Sequence, residues 1–300
     1  MSFSLPTSEL LLGGEAAPLP CGLYIVSTPM GNSLDITLRA LKTLRSVDLI
    51  ACEDTRVTQK LLHIYGIKKK LVSYHNHNED KRVTQLVQGL KQGQSVALVS
   101  DAGTPLISDP GYVLVTACIQ EGIPVTPIPG VSAVTCALSA SGFPGSRFCF
   151  LGFLPSKRSP RQEALRTLVS NDMVHIFYEA PHRIWESLED IAKILGERPL
   201  VIGRELSKRY EEFLRGSAAQ LMSLYPQTAE NWRGEMVLMV GTLASSAASD
   251  IDVEELKNLL ENALKNKSLR DAVDDVVALT GNCRRTVYRM ALSLMKGKVF

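Results

Sequence analysis

The sequence predicts an α/β protein with a mostly parallel first sheet, a second α/β domain of mixed strand direction and a small C-terminal helical domain. Three observations carry this. Short β-rich runs alternate with helical patterns from Gly22 to Gly130. A further set of apolar runs fills 147–242 with wider and less regular spacing. The small-residue stretch LASSAASD (243–250) then breaks every apolar pattern, and 252–298 beyond it reads as helical throughout. The expected division is 1–20 as a disordered lead, 21–130 and 131–243 as the two α/β domains, 244–251 as linker and 252–300 as the helical domain.

In the first domain, LYIVS (23–27), VDLIACE (47–53), LVSYH (71–75), SVALVS (95–100) and IPVTPIPG (123–130) read as strands. A stripe of Leu34, Leu38, Leu41 and Leu44 predicts the first helix. Further helices are predicted over 57–67, ended by Gly66, over 79–92 and over 111–121. In the second domain, RFCFLGFL (147–154), MVHIFYE (173–179), RPLVIGREL (198–206) and GEMVLMVGT (234–242) are strands. Helices are expected near 161–170, 181–195 and 217–224. At the C-terminus, Val287, Met290, Ala291 and Leu294 share one helical face, Ser268 with Asp271 resembles a capping box, and Gly281 separates two helices.

Composition excludes several classes. With 33 basic and 31 acidic residues the net charge is +2, so a nucleic acid would be held by local patches rather than by a globally basic surface. Cysteines 21, 52, 118, 136, 149 and 283 have no regular spacing, which argues for free thiols in a reducing cytoplasm and against a zinc site. No apolar run approaches the ~20 residues of a membrane span, and no basic segment begins a signal peptide. Neither a metal nor a membrane partner is expected.

Three loops at strand ends carry the functional signal. STPMGNSLD (27–35) stands where a dinucleotide fold carries G-x-G-x-x-G, yet it holds only Gly31. SDAGTPLISDPG (100–111) has neither Lys nor Arg, so no cation neutralises a phosphate there. PIPGVSA (127–133) again follows a strand and opens a helix. Loops at three strand ends of one open sheet converge on a crevice at its carboxyl edge. Their amides, hydroxyls and Asp101 suit a ligand with an adenine edge, ribose hydroxyls, an amino-acid zwitterion and a sulfonium, and suit a triphosphate poorly.

The order of VSTPMGNSLDIT (26–37), LIACEDTR (49–56), ALVSDAGTPLISDPG (97–111), PIPGVSA, FCFLGFLP (148–155), FYEAPHRI (177–184) and GEMVLMVG (234–241) closely resembles the ribosomal RNA small-subunit methyltransferase I family. That family has the tetrapyrrole-methylase fold of class III S-adenosylmethionine (SAM) methyltransferases. The resemblance implies two α/β domains with SAM in the cleft between them, a homodimer, and methylation of a cytidine ribose 2′-hydroxyl in the decoding region of small-subunit (16S) rRNA, with the assembled 30S subunit as acceptor. Carried over by position, the SAM contacts are Met30 and Gly31, then Ala102, Gly103, Thr104 and Ile107, then Ser132 and Ala133. Phe177 and Tyr178 would cover the cofactor from the second domain. Asp101 either holds a ribose hydroxyl or shapes the turn, while Asp109-Pro110-Gly111 is expected only to turn the chain into the next helix. Two departures stand out: Met30 replaces the proline of relatives with G-x-G-P-G, and Val131 stands where many have proline. The other readings of this fold are a small-molecule (tetrapyrrole-type) methyltransferase and a non-catalytic RNA-binding protein.

A ribose hydroxyl is a weak nucleophile, and a positioned base contributes about 10²–10⁴-fold. Glu53, Asp54 and Glu179, each at a strand end, are the candidates, although Asp54 equally reads as the cap of the helix that follows. For RNA, the basic run 154–166 offers Lys157, Arg158, Arg161 and Arg166, with Arg56, Arg147 and Arg183 adding to it. Arg284 and Arg285 lie in a second cluster: residues 282–298 hold five Lys or Arg and no acid.

Overall fold

The computed structural model describes residues 18–228, 232–242, 253–280 and 284–296. Strands β1 (Gly22–Val26), β2 (Leu49–Cys52), β3 (Lys70–Ser73), β4 (Ser95–Val99) and β5 (Val125–Ile128) form one sheet in the order β3-β2-β4-β1-β5. Every neighbouring pair is parallel. Parallel pairing requires crossovers, and the intervening segments supply helices for both faces. Helices α1 (Leu38–Ser46) and α2 (Thr55–Ile64) pack on Ala97 and Val99; α3 (Glu79–Lys91) and α4 (Tyr112–Gln120) pack on Val96 and Leu98. Strand β4 is buried at every position, which is why SVALV reads as a continuous apolar run. The chain winds outward from β1 to β2 and β3, returns to β4, then crosses to β5 on the other side. The winding direction therefore reverses at the β4–β1 pair, where an open parallel sheet offers a crevice.

The predicted stripe fails at its start. Residues Ser33–Asp35 form a short 3-10 turn capped by Asn32, and α1 begins only after Thr37, whose hydroxyl accepts from Ala40 N at 3.1 Å. Leu34 and Leu38 are exposed, and only Leu41 and Leu44 reach the core.

The second sheet has the order β6-β7-β10-β8-β9, with β6 (Phe148–Phe153), β7 (Val174–Glu179), β8 (Leu200–Arg204), β9 (Glu212–Gly216) and β10 (Met236–Val240). Only β6–β7 is parallel; β7–β10, β10–β8 and β8–β9 are antiparallel, so the sheet is mixed as predicted. Strand β9 was not anticipated, because Glu212 and Arg215 give its five residues no apolar pattern. Helices α6 (Arg158–Arg166), α7 (Ile184–Leu195) and α8 (Ala218–Leu224) bury Leu165, Leu188 and Leu221 against Phe177 and Leu238 on one face. The opposite face receives α5 (Ala133–Ser141), whose Val134, Ala137 and Leu138 pack on Ile176, Val237 and Met239. Helix α5 thus follows the last strand of the first sheet but covers the second. Met30, from the loop after β1, enters the same apolar cluster.

Helices α9 (Val253–Ala263), α10 (Leu269–Thr280) and α11 (Arg284–Lys296) pack around Leu256, Leu260, Val273, Val276, Val287 and Ala291. The predicted face of α11 is the buried one. Ser268 accepts from Asp271 N at 3.3 Å and donates to its carboxylate at 2.7 Å. The 244–251 linker and Gly281 lie outside the described residues. Among the described residues no helix is long and apolar enough to cross a membrane, and no group of three or more His, Cys, Asp or Glu is arranged to hold a metal ion.

Candidate active site

The three predicted loops meet, and hydrogen bonds lock them together. Thr28 N donates to Gly103 O at 2.8 Å and Gly103 N to Thr28 O at 2.9 Å, a two-residue bridge between the loops after β1 and β4. Thr104 Oγ1 donates to Val131 O at 2.8 Å, which fixes the direction of its other bond: Ser27 Oγ, 2.9 Å away, is the donor to Thr104. One side chain therefore ties β1, β4 and the β5 loop. Gly103 has φ +76°, and a Cβ there would meet only Val131 O at 3.9 Å. The glycine supplies a left-handed conformation and an open wall.

Beside this junction lies a cavity of about 360 Å³. The first sheet's loops contribute Met30, Ala102, Gly103, Thr104, Ile107, Asp109, Ser132 and Ala133. The second sheet closes it with Phe153, Tyr178, Glu179, Leu206 and Met236, among others. Four non-glycine residues among those described have positive φ: Leu106, Ser108, Glu205 and Ser207. They flank Ile107 and Leu206, one cavity residue from each side of the cleft, so local strain is concentrated at the two walls.

Most predicted cofactor positions line this cavity, and three do not. Phe177 is buried in the core under α7, because successive residues of β7 point to opposite faces and only Tyr178 faces the cleft. Tyr178 is held there by edge contacts with Phe150 and Phe153 at ring separations of 4.8 and 5.6 Å. Gly31 lies beside the cavity rather than in it: a Cβ there would sit 2.3 Å from Lys208 Cγ, so its bareness lets the first loop approach the turn after β8. Asp101 accepts from Asp54 N at 3.1 Å and shapes the turn.

The candidate bases are rearranged more severely. Asp54 caps α2, accepting from Arg56 N at 2.8 Å, and pairs with the Arg56 guanidinium at 2.6 Å. The Arg56 hydrogen bonds pull its carboxyl down to about 2, too low for a useful base at neutral pH. Glu179 has a fully buried carboxylate that accepts from Ser187 Oγ at 2.7 Å and Ala180 N at 3.0 Å, with Arg183 Nε at 3.3 Å. It holds the 180–183 turn. Glu53 is half-buried outside the cavity, its carboxyl pushed up by burial and by Asp101. Asp109, expected only to turn the chain, lines the cavity instead. No local sequence signal marks it, since the positive φ of Leu106 and Ser108 that turns the loop back is visible only in the fold.

The basic run is likewise divided. Arg161 is buried: Nε donates to Asp190 Oδ2 at 2.8 Å, Nη2 to Glu186 at 3.2 Å and Nη1 to Ser156 O at 3.2 Å. Arg183 donates to Leu154 O and pairs with Glu179. Arg161 is closed off from RNA, whereas Arg183 stays 19% exposed beyond these bonds. Arg158 pairs with Asp190 yet stays 64% exposed, Arg166 pairs with Glu163, and Lys157 is exposed. Arg147 is exposed at the opposite end of β6 from Phe153, about 20 Å away along six residues of strand. Arg56 is 85% exposed near Asp101. Arg284 pairs with Asp274 at 2.7 Å; the Arg285 side chain lies outside the described residues.

Two α/β sheets thus share one cleft, at the carboxyl edge of the parallel one. The family model for Tetrapyrrole (Corrin/Porphyrin) Methylases matches residues 22–222, and the chain belongs to that family. The methyltransferase CobJ aligns with a TM-score of 0.57 at 20% identity, covering 74% of this chain and 95% of that one. A diphthine synthase aligns at 0.56 and 16% identity, covering 73% and 89%; both likenesses concern the fold. Within the family, the chain falls in the group of SAM-dependent enzymes named Ribosomal RNA small subunit methyltransferase I. The relative from Mesorhizobium japonicum is 45% identical over 93% of this chain and 94% of its own. Those from Escherichia coli O157:H7 and Thermotoga maritima are 44% and 51% identical over 90% and 67% of this chain, and 94% and 90% of theirs.

Proposed function

We propose that this cytoplasmic protein transfers the methyl group of SAM to the ribose 2′-hydroxyl of a cytidine in the decoding region of 16S rRNA, acting as a homodimer on the assembled 30S subunit. The observation that carries this reading is the chemistry of the cavity. Among the described residues its lining holds no Lys, Arg or His, and of its three carboxylates Glu179 and Glu235 pair with Arg183 and Lys208 while Asp109 has no ion pair. A sulfonium is favoured in such surroundings and a polyphosphate is not. Helix α5 opens onto the cavity at Ser132 and Ala133, and Ser132 makes no side-chain cap bond, so orphan amides remain for a carboxylate. These residues fit SAM: Ala102 and Gly103 allow close approach to the backbone, Tyr178 and Phe153 offer aromatic surface, and Met30, Leu206 and Val237 exclude water.

Bound SAM supplies an activated methyl group whose departure leaves a neutral thioether. The protein's contribution is to hold the ribose oxygen in line with that methyl, since alignment alone is worth several kcal/mol, about 7–11 at most. Exposed cations that follow β2 (Arg56) and β6 (Lys157 and Arg158) guide the RNA backbone; Arg161 and Arg183 serve the fold.

Tritium transfer from labelled SAM tests the reading, with unmethylated 30S subunits, naked rRNA and uroporphyrinogen as acceptors. Label is expected in the cytidine ribose of the subunits; label in the porphyrin alone refutes it. The guiding surface has its own signature. Arg56→Gln and Lys157→Gln are each expected to flatten the slope of log affinity against log salt by about 0.7, the value for one single-strand phosphate contact. Arg147→Gln, at the end of β6 away from the cavity residue Phe153, is expected to leave the slope unchanged.

A further inference from the structure

The three predicted bases are absent as free acceptors inside the cavity, which leaves the proton of the ribose hydroxyl without a destination. Of the carboxylates lining the cavity, Glu179 is fully committed to Ser187, Ala180 N and Arg183. Glu235 is at the rim, 77% exposed and paired with Lys208 at 3.0 Å. Asp109 alone has no ion-pair partner among the described residues and is half-buried in the wall.

Its position is built by the loop. Residues 100–111 leave β4, pass Ala102-Gly103-Thr104 along the cavity, and return so that Asp109 lines the same wall, while Ser100 Oγ donates to Ala102 O at 3.1 Å. Left-handed Leu106 (φ +73°) and Ser108 (φ +69°) make the reversal, and Gly111 (φ +140°) seals it. A Cβ on Gly111 would stand 2.8 Å from Leu98 Cδ2 and 2.9 Å from Leu106 Cδ1. The reversal packs Leu106 against the core of the first sheet and sets Asp109 in the wall of the cavity that Tyr178 also lines.

Building on the 2′-O-methyltransferase reading, we propose that Asp109 is the general base of the transfer. Its carboxylate takes the proton of the 2′-hydroxyl while an oxygen lone pair forms the bond to the methyl carbon. The carbon–sulfur bond pair stays on sulfur, and Asp109 afterwards gives the proton to solvent. Glu53 at the end of β2 and Asp101 on its own loop act on Asp109, and Tyr178, Glu179 and Glu235 line the same cavity. Burial first, then repulsion from Glu53 and Asp101, moves its carboxyl up to about 6. It therefore remains ionised at neutral pH and is a stronger base than an ordinary carboxylate. Tyr178, driven up to about 12 by burial and by Asp109, stays a phenol and competes for no proton.

The test uses the full-length protein, labelled SAM and unmethylated 30S subunits, with single-turnover rates measured against pH. The wild-type rate is expected to rise with pH through about 6. Asp109→Asn is expected to lose that limb and about 10²-fold or more in rate, with SAM affinity by calorimetry held within about threefold. Asp109→Glu is expected to recover part of the rate together with the limb. Independently of activity, carbon-13 NMR of labelled aspartates in the free protein is expected to show one carboxyl titrating near 6 that is missing from Asp109→Asn. A variant that keeps the limb overturns the inference, as does one that loses affinity with its rate intact, or a signal near 6 that survives the substitution. Wild-type protein that labels no 30S subunit refutes the proposed function itself, and the inference with it.

Discussion

Arg161→Met is expected to destabilise the protein by about 3–5 kcal/mol, the cost of stripping one partner from a buried ion pair. Arg161 is 1% exposed and Asp190 is fully buried. The carboxylate also receives Gln162 Nε2 at 2.7 Å and Arg158 Nε at 3.2 Å, which places the loss toward the lower end of the range. The group joins α6 to α7 over the second sheet, so the thermal midpoint is expected to fall by roughly 10 °C. The double variant Arg161→Met/Asp190→Leu is expected to recover most of the loss, because an apolar pair of similar volume leaves no buried charge. Acid unfolding gives the matching sign. Burial pushes the Asp190 carboxyl up, but hydrogen bonds from Gln162 and Arg161 outweigh it, and its pKa lies below the ordinary value. The resulting stabilisation is complete above the unfolded value of about 3.9 and is lost as pH falls through the lower folded value. Denaturant unfolding of Arg161→Met is expected to show a smaller loss across that acid window; equal slopes would remove Arg161 from the account.

The same residue shows where sequence reading ends. A run of four cations in 157–166 looks like a solvated face until the fold brings Asp190 and Glu186, 29 and 25 residues from Arg161, beneath one of them. The parallel sheet was legible because β4 and its neighbours carry their own apolar signal, and the three loops were legible because Gly and Pro mark them locally. Strand β9 carried no such signal, being an edge strand whose Glu212 and Arg215 interrupt it. The alternation of β7 was available in principle: Phe177 and Tyr178 are consecutive, and one strand cannot turn both to one cofactor. Asp109 was not recoverable from local pattern, since Asp-Pro-Gly is an ordinary turn and only the positive φ angles of Leu106 and Ser108 fold it into the cavity.

Ala102→Trp is expected to abolish SAM binding, with affinity lowered by more than about 100-fold, while the fold is retained. A bulky residue at Gly103 is a poorer probe, because φ +76° penalises any side chain by about 1–2 kcal/mol before it meets the ligand. Ala102 lines the cavity and is itself exposed, so an indole there displaces no core atom. The substituent adds roughly 140 Å³ to the wall of a site of about 360 Å³, and an apolar cleft already at the small end of ligand pockets has no room to give. The junction behind it stays intact: the Thr28–Gly103 bridge uses backbone atoms, and Thr104 keeps its bond to Val131 O. Calorimetry with SAM and thermal unfolding separate the two effects, a lost heat of binding beside an unfolding midpoint within a few degrees of wild type. Wild-type affinity in Ala102→Trp would move the cofactor out of this cleft and, with it, the wall that presents Asp109.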